Sequence, residues 1–178
     1  FPTRRSSDLL VLRKRAIERT SKGIVHVTDG PLVTQLHAKL PFPLTGAQRR
    51  AIDEIAADLR RTVPMHRLLQ GDVGAGKTLV AVATMLAAID GGHQAALMAP
   101  TEVLAEQHWL GIRQLLDGLT VESKASLFAE RPLRVELLTN RLTAAERRRV
   151  LAVLQAGEVD IAVGTHALIQ EGGVFGSL

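Results

Sequence analysis

Gly71-Asp72-Val73-Gly74-Ala75-Gly76-Lys77-Thr78 meets the pattern G-x-x-x-x-G-K-[ST] at each fixed position. Glycines at 74 and 76 permit backbone torsions and close approaches that a Cβ would block. Lys77 brings a mobile positive charge suited to the β- and γ-phosphates of a nucleotide, and the Thr78 hydroxyl is a ligand for Mg²⁺. Gly71, Asp72, Val73, Gly74, Ala75 and Gly76 then supply the backbone cradle, and the chemistry indicated is polyphosphate binding.

Such a loop needs a strand before it and a helix after it. Met65-His66-Arg67-Leu68-Leu69-Gln70 reads as the buried strand, and Leu79 to Ile89 as the buried helix whose N-terminal dipole faces the phosphate. Upstream, two prolines in Leu40-Pro41-Phe42-Pro43-Leu44 forbid helix, and Thr45-x-x-Gln48 is a capping box that opens an amphipathic helix over Gly46 to Arg61. Its apolar face carries Ala47, Ala51, Ile52, Ile55, Ala56 and Leu59, opposite Arg49, Arg50, Asp53, Glu54 and Asp58. Downstream, strands at Gln94–Ala99, Arg134–Leu138 and Asp160–Gly164 alternate with helices over Glu102 to Leu116 and from the capping box Thr143-x-x-Glu146 to Ala156. Alternation of this kind predicts an α/β fold: a mainly parallel sheet with helices on both faces, and ligands outside the carboxyl ends of the strands, where Gly71, Pro100, Thr139 and Gly164 fall.

A chain of 178 residues, 46% of them hydrophobic, can bury one real core. No apolar run is long enough to span a membrane, and a signal peptide is not evident at the N-terminus. Zero cysteines exclude disulfides and thiolate metal sites and fit a reducing cytoplasm. A net charge of +4 with a pI near 10.1 gives weak support to a polyanionic partner. Residues 1–8 lack any hydrophobic period and read as a sequence artefact; 9–39 read as a basic helix (Leu9 to Arg19) and a linker with a short helix at Leu32 to His37. The domain proper is expected from Leu40.

Four blocks fall in order: Leu44-Thr45-Gly46-Ala47-Gln48, the glycine loop, Ala99-Pro100-Thr101-Glu102-Val103-Leu104-Ala105-Glu106-Gln107-His108, and Val163-Gly164-Thr165-His166-Ala167-Leu168-Ile169-Gln170. Together they make the chain from about Leu40 to Leu178 resemble the first motor domain of a superfamily 2 DNA helicase, within that superfamily most closely the helicases of branched DNA. A transcription-repair coupling translocase is the related alternative. The resemblance implies a RecA-like P-loop domain, the cofactors ATP and Mg²⁺, and forked or branched DNA as partner, in a cytoplasmic and monomeric protein without a membrane segment. It assigns Lys77 and Thr78 to catalysis, Gln48 to the adenine edge and Phe42 to stacking on the adenine. Gln48 is equally the third helical residue of its capping box, and Phe42 is equally a core residue. DNA contacts are implied at Thr101 and Glu102, at Thr139, and at Thr165 and His166. His108 and Trp109 read as packed residues, and Arg147-Arg148-Arg149 as a solvated helix face.

One departure is internal: the family generally has Leu-Leu-Thr-Gly-Ser where this chain has Leu137-Leu138-Thr139-Asn140-Arg141, which puts a close backbone approach there in doubt. The other concerns the acidic partner of the loop. The only Asp-Glu pair, Asp53-Glu54, lies on the surface helix, so the Asp-Glu-x-His of the resembled family is expected after Leu178 and these 178 residues alone are expected not to hydrolyse ATP. A non-helicase P-loop module, such as a GTPase or small-molecule kinase, would look the same up to Thr78.

Overall fold

A computed structural model describes residues 22–122, 130–170 and 175–178; the helix expected at Leu9 to Arg19 and the segment 1–8 lie outside them. In chain order the elements are α1 (Pro31–Lys39), α2 (Gly46–Leu59), α3 (Lys77–Asp90), β1 (Ala95–Met98), α4 (Glu102–Leu116), β2 (Thr120–Glu122), β3 (Glu130–Pro132), β4 (Val135–Leu138), α5 (Ala144–Gln155), β5 (Ile161–Gly164) and α6 (Ala167–Gln170).

The described sheet is parallel, in the order β1-β5-β4, with Ala95 and Val135 both opposite Ile161 and Met98 and Leu138 both opposite Gly164. Level registers matter for function, because all three carboxyl ends emerge along one edge. Central β5 is buried throughout, and its alternating side chains divide between two cores. Ile161 and Val163 join Leu79, Val82 and Leu86 of α3 and Ile112 and Leu116 of α4; Ala162 joins Val150 and Leu154 of α5 and Ala167 and Leu168 of α6. Helices therefore cover both faces, as the alternation of strand and helix predicts.

Helix α3 turns at Gly91-Gly92 directly into the amino end of β1, so its first residue, Lys77, lies toward the edge at which the strands finish. The capping boxes at Thr45/Gln48 and Thr143/Glu146 both form, each joining a threonine hydroxyl to a backbone N–H and returning a side-chain oxygen to the cap. Each cap contributes about 1 kcal/mol.

Three expectations change. Residues 65–70 form no strand. Among the described residues no backbone hydrogen bond ties them to the sheet, and Leu68 is 80% exposed. Arg67 ties this segment to α2: its guanidinium binds Glu54 at 2.5 Å and Asp58 at 2.7 and 3.0 Å, two carboxylates on the polar face of that helix. Arg67 in turn holds the Asp58 carboxyl below its ordinary pKa, chiefly by the hydrogen bond between them. The second concerns α1, expected as a short helix within a linker: Leu32 and Leu36 are fully buried in the core with α3. Burial of two leucines, about 1.5–3 kcal/mol each, outweighs the glycine and proline that make this stretch look like a linker. The third is an antiparallel pair, β2 with β3, absent from the expectation.

Candidate nucleotide and nucleic-acid site

The glycine loop has the conformation its composition demands. Gly74 and Gly76 have φ of +82° and +79°, the left-handed region costly for residues with a Cβ. Gly76 caps α3, so the helix starts directly at Lys77 with its first N–H groups free of intrahelical partners. A Cβ on Gly76 would also sit 2.3 Å from Nε2 of Gln48. Lys77 Nζ donates to the carbonyls of Gly71 and Asp72, both at 2.8 Å, which fixes the ammonium over the loop. The Thr78 hydroxyl is on the exposed first turn.

Gln48 lies between two elements. Its Oε1 accepts from Thr45 N–H at 2.9 Å while its Nε2 donates to the carbonyl of Ala75 at 3.0 Å. One side chain thus fastens the start of α2 to the phosphate loop, a link that motif reading alone does not supply. Phe42 is 54% exposed, not a core residue, and lines a cavity of about 410 Å³ with Leu44, Arg49, Ile52 and Asp53. A larger cavity, about 460 Å³, opens at the opposite end of the sheet, beside Gln94 and Asp160, which precede β1 and β5.

These groups fit a magnesium nucleotide. Backbone N–H groups, a fixed ammonium and a helix N-terminus all suit a polyphosphate, and Thr78 offers one hydroxyl oxygen to Mg²⁺. Among the described residues no group of three His, Asp or Glu forms a metal cluster. Phosphate oxygens and water would complete the shell around such an ion.

At the strand ends the residues expected to meet DNA divide by exposure. Thr101 caps α4, its hydroxyl accepting from Leu104 N–H at 3.3 Å, and is exposed; His166 is exposed as well. Thr139 and Thr165 are only 1% and 8% exposed, so their side chains lie beneath the surface. What reaches solvent beside Thr139 is Asn140 and Arg141. Neither has positive φ, so the backbone there does not call for the glycine that the family generally has. Glu102 does not face outward alone: its carboxylate binds Arg141 Nε at 2.7 Å. Trp109 is packed, donating its indole N–H to the carbonyl of Val135 at 3.1 Å with the Arg113 guanidinium over its ring. The Arg141 pairing is the feature that motif reading misses; charge complementarity with Glu102 is visible only once β4 and α4 are side by side.

A glycine loop of this kind at the carboxyl edge of a doubly covered parallel sheet defines a P-loop domain. The family model for DEAD/DEAH box helicases matches residues 45–173, and the chain belongs to that family. Among its relatives are the ATP-dependent DNA helicases RecG of Synechocystis sp., 45% identical over 159 residues (89% of this chain), and of Streptococcus pneumoniae, 49% identical over 140 residues (79% of this chain). This chain spans 18% and 19% of the lengths of those two relatives. A solved structure of RecG bound to a three-way DNA junction matches 93% of this chain with a TM-score of 0.78 and 36% identity, over 22% of that molecule. The yeast DEAD-box splicing factor Prp28, at 18% identity and a TM-score of 0.56, shares the fold.

Proposed function

We propose that this chain is the nucleotide-binding part of an ATP-dependent DNA helicase that translocates on branched DNA, forks and Holliday junctions, in recombination and repair. The observation that carries the reading is the Walker loop, its glycines in left-handed conformation, its lysine set over the loop and its backbone tied by Gln48 to α2, on the same edge of the domain as Thr101 and His166. The RecG relatives supply the substrate class.

In this reading Lys77 would give up the carbonyls of Gly71 and Asp72 to hold the terminal phosphates, and the N–H groups at the start of α3 would hold the same group. Thr78 holds Mg²⁺. Bound ATP with Mg²⁺ supplies the phosphoanhydride whose hydrolysis drives movement. Gln48 releases Ala75 to meet the adenine edge, and Phe42 offers its exposed ring to the base. Because Gln48 touches both the base site and the loop, base recognition and phosphate binding are coupled through one side chain. Thr101 and His166, with the backbone at Thr139 and Thr165, line the DNA face. In this reading the protein works in the cytoplasm as a monomer. No described helix is long and apolar enough to cross a membrane.

The test is ATP hydrolysis by the full-length protein with and without forked DNA. Stimulation by DNA that vanishes in Lys77→Ala supports the reading. Hydrolysis indifferent to DNA, or preference for GTP, would assign the loop to another kind of P-loop enzyme.

A further inference from the structure

We propose that Arg141 is a phosphate-contacting residue of the DNA face, stationed there by Glu102 and Glu106, an inference that rests on the nucleic-acid reading of this edge. Arg141 sits in the turn that closes with the N–H of Leu142 donating to the carbonyl of Thr139 at 3.4 Å, just beyond the carboxyl end of β4. Because Thr139 points inward, the turn presents Asn140 and Arg141 to solvent. The Arg141 guanidinium binds Glu102 Oε2 at 2.7 Å and Glu106 Oε1 at 3.4 Å, yet its side chain remains 60% exposed. A planar fork with five N–H donors can keep a carboxylate on one side and take a phosphate on the other.

Electrostatics gives the arrangement a purpose. Glu102 is the first residue of α4 and already complements the positive end of that helix. By itself its carboxylate would repel a phosphate approaching the Thr101 cap. Arg141 offsets that charge and adds a donor where a backbone phosphate would come. An exposed pair of this kind contributes little to stability, so fold maintenance does not account for it. Glu102 and Glu106 thereby hold Arg141 at this edge while competing with phosphate for its donors, and that competition sets the strength of DNA binding.

The experiment measures anisotropy of a fluorescein-labelled single-stranded oligothymidylate titrated with the 178-residue chain over a range of salt. Native binding that weakens with salt is expected. Arg141→Ala should bind about three- to tenfold more weakly at low salt and lower the log–log salt slope by about one. Arg141→Lys, which keeps the charge, should keep the slope, and Glu102→Gln with Glu106→Gln should bind more tightly than native. An unchanged slope in Arg141→Ala, a slope lost equally in Arg141→Lys, or weaker binding by the double glutamine variant would each overturn the proposal. If the native chain fails to bind the oligonucleotide at any salt, the DNA reading of this edge fails instead.

Discussion

The phosphate loop and the strand-end turns occupy the same edge of one sheet, yet they present their chemistry in opposite ways. At the loop, Lys77 and the glycines at 74 and 76 carry it openly: in the proposed reading the backbone itself binds phosphate, and its torsions require glycine. At the strand ends Thr139 and Thr165 have turned into the protein, leaving Arg141, His166 and Thr101 outside. A motif residue can therefore mark a contact directly, or mark only the turn that brings its neighbour to the surface. Spacing along a sequence does not distinguish the two, because burial depends on which strands pair.

Changes at the loop should be the largest. Gly76→Ala forces a Cβ into a left-handed residue and against Gln48 Nε2; strain of about 1–3 kcal/mol is expected in thermal or denaturant unfolding, with nucleotide affinity falling alongside. A variant that melts like native and binds nucleotide like native would show that the loop is not held as described. Gln48→Ala removes both the return half of the capping box and the bond to Ala75, at a cost of about 1 kcal/mol in stability. Comparison of ATP with GTP sharpens this: selective loss of ATP affinity supports adenine contact, whereas equal losses leave Gln48 as a structural tie alone.

Thr139→Val and Thr165→Val probe the other side of the comparison. Since neither side chain reaches the surface, DNA affinity should remain within about twofold of native while stability falls by about 1 kcal/mol. A large loss of DNA binding without loss of stability would return both threonines to the interface. The smallest effect is expected at the far end of α3. Asp90 accepts from Leu32 N–H at 3.2 Å, but its second oxygen is buried without a partner among the described residues, and burial raises its pKa above the ordinary carboxylate value. A carboxyl that holds its proton more tightly when folded gives stability that is full below the unfolded pKa and is lost as pH rises through the folded one. Asp90→Asn should remove that slope from the pH dependence of unfolding and leave nucleotide and DNA binding as they are.

Much of the positioning frame was legible. The capping boxes announced α2 and α5 because threonine and a residue three along satisfy each other within one turn, with no help from tertiary contacts. Short apolar runs announced β1, β4 and β5. Residues 65–70 have the same apolar character, but a strand exists only where a neighbour completes its hydrogen bonds, and a run of side chains carries no record of that. Glu130-Arg131-Pro132 pairs in β3 despite a composition that signals a loop, since Arg131 is held by Asp160 at 2.6 and 2.8 Å. In the site, glycine and lysine identities were readable because the chemistry leaves few substitutes. The Gln48–Ala75 tie and the Arg141–Glu102 pair were not, since each spans 27 or more positions and depends on the packed arrangement of helices and strands.

In the proposed function Lys77, fixed over a preformed glycine loop, binds the phosphates of an adenine nucleotide. Calorimetric titration of the 178-residue chain with ADP and Mg²⁺, native beside Lys77→Ala, tests it most directly. Binding by the native chain is expected, with an affinity about 10–100-fold lower in the variant, the scale of a lost hydrogen bond to a charged group, and circular dichroism unchanged. Equal affinities in two equally folded proteins would contradict it.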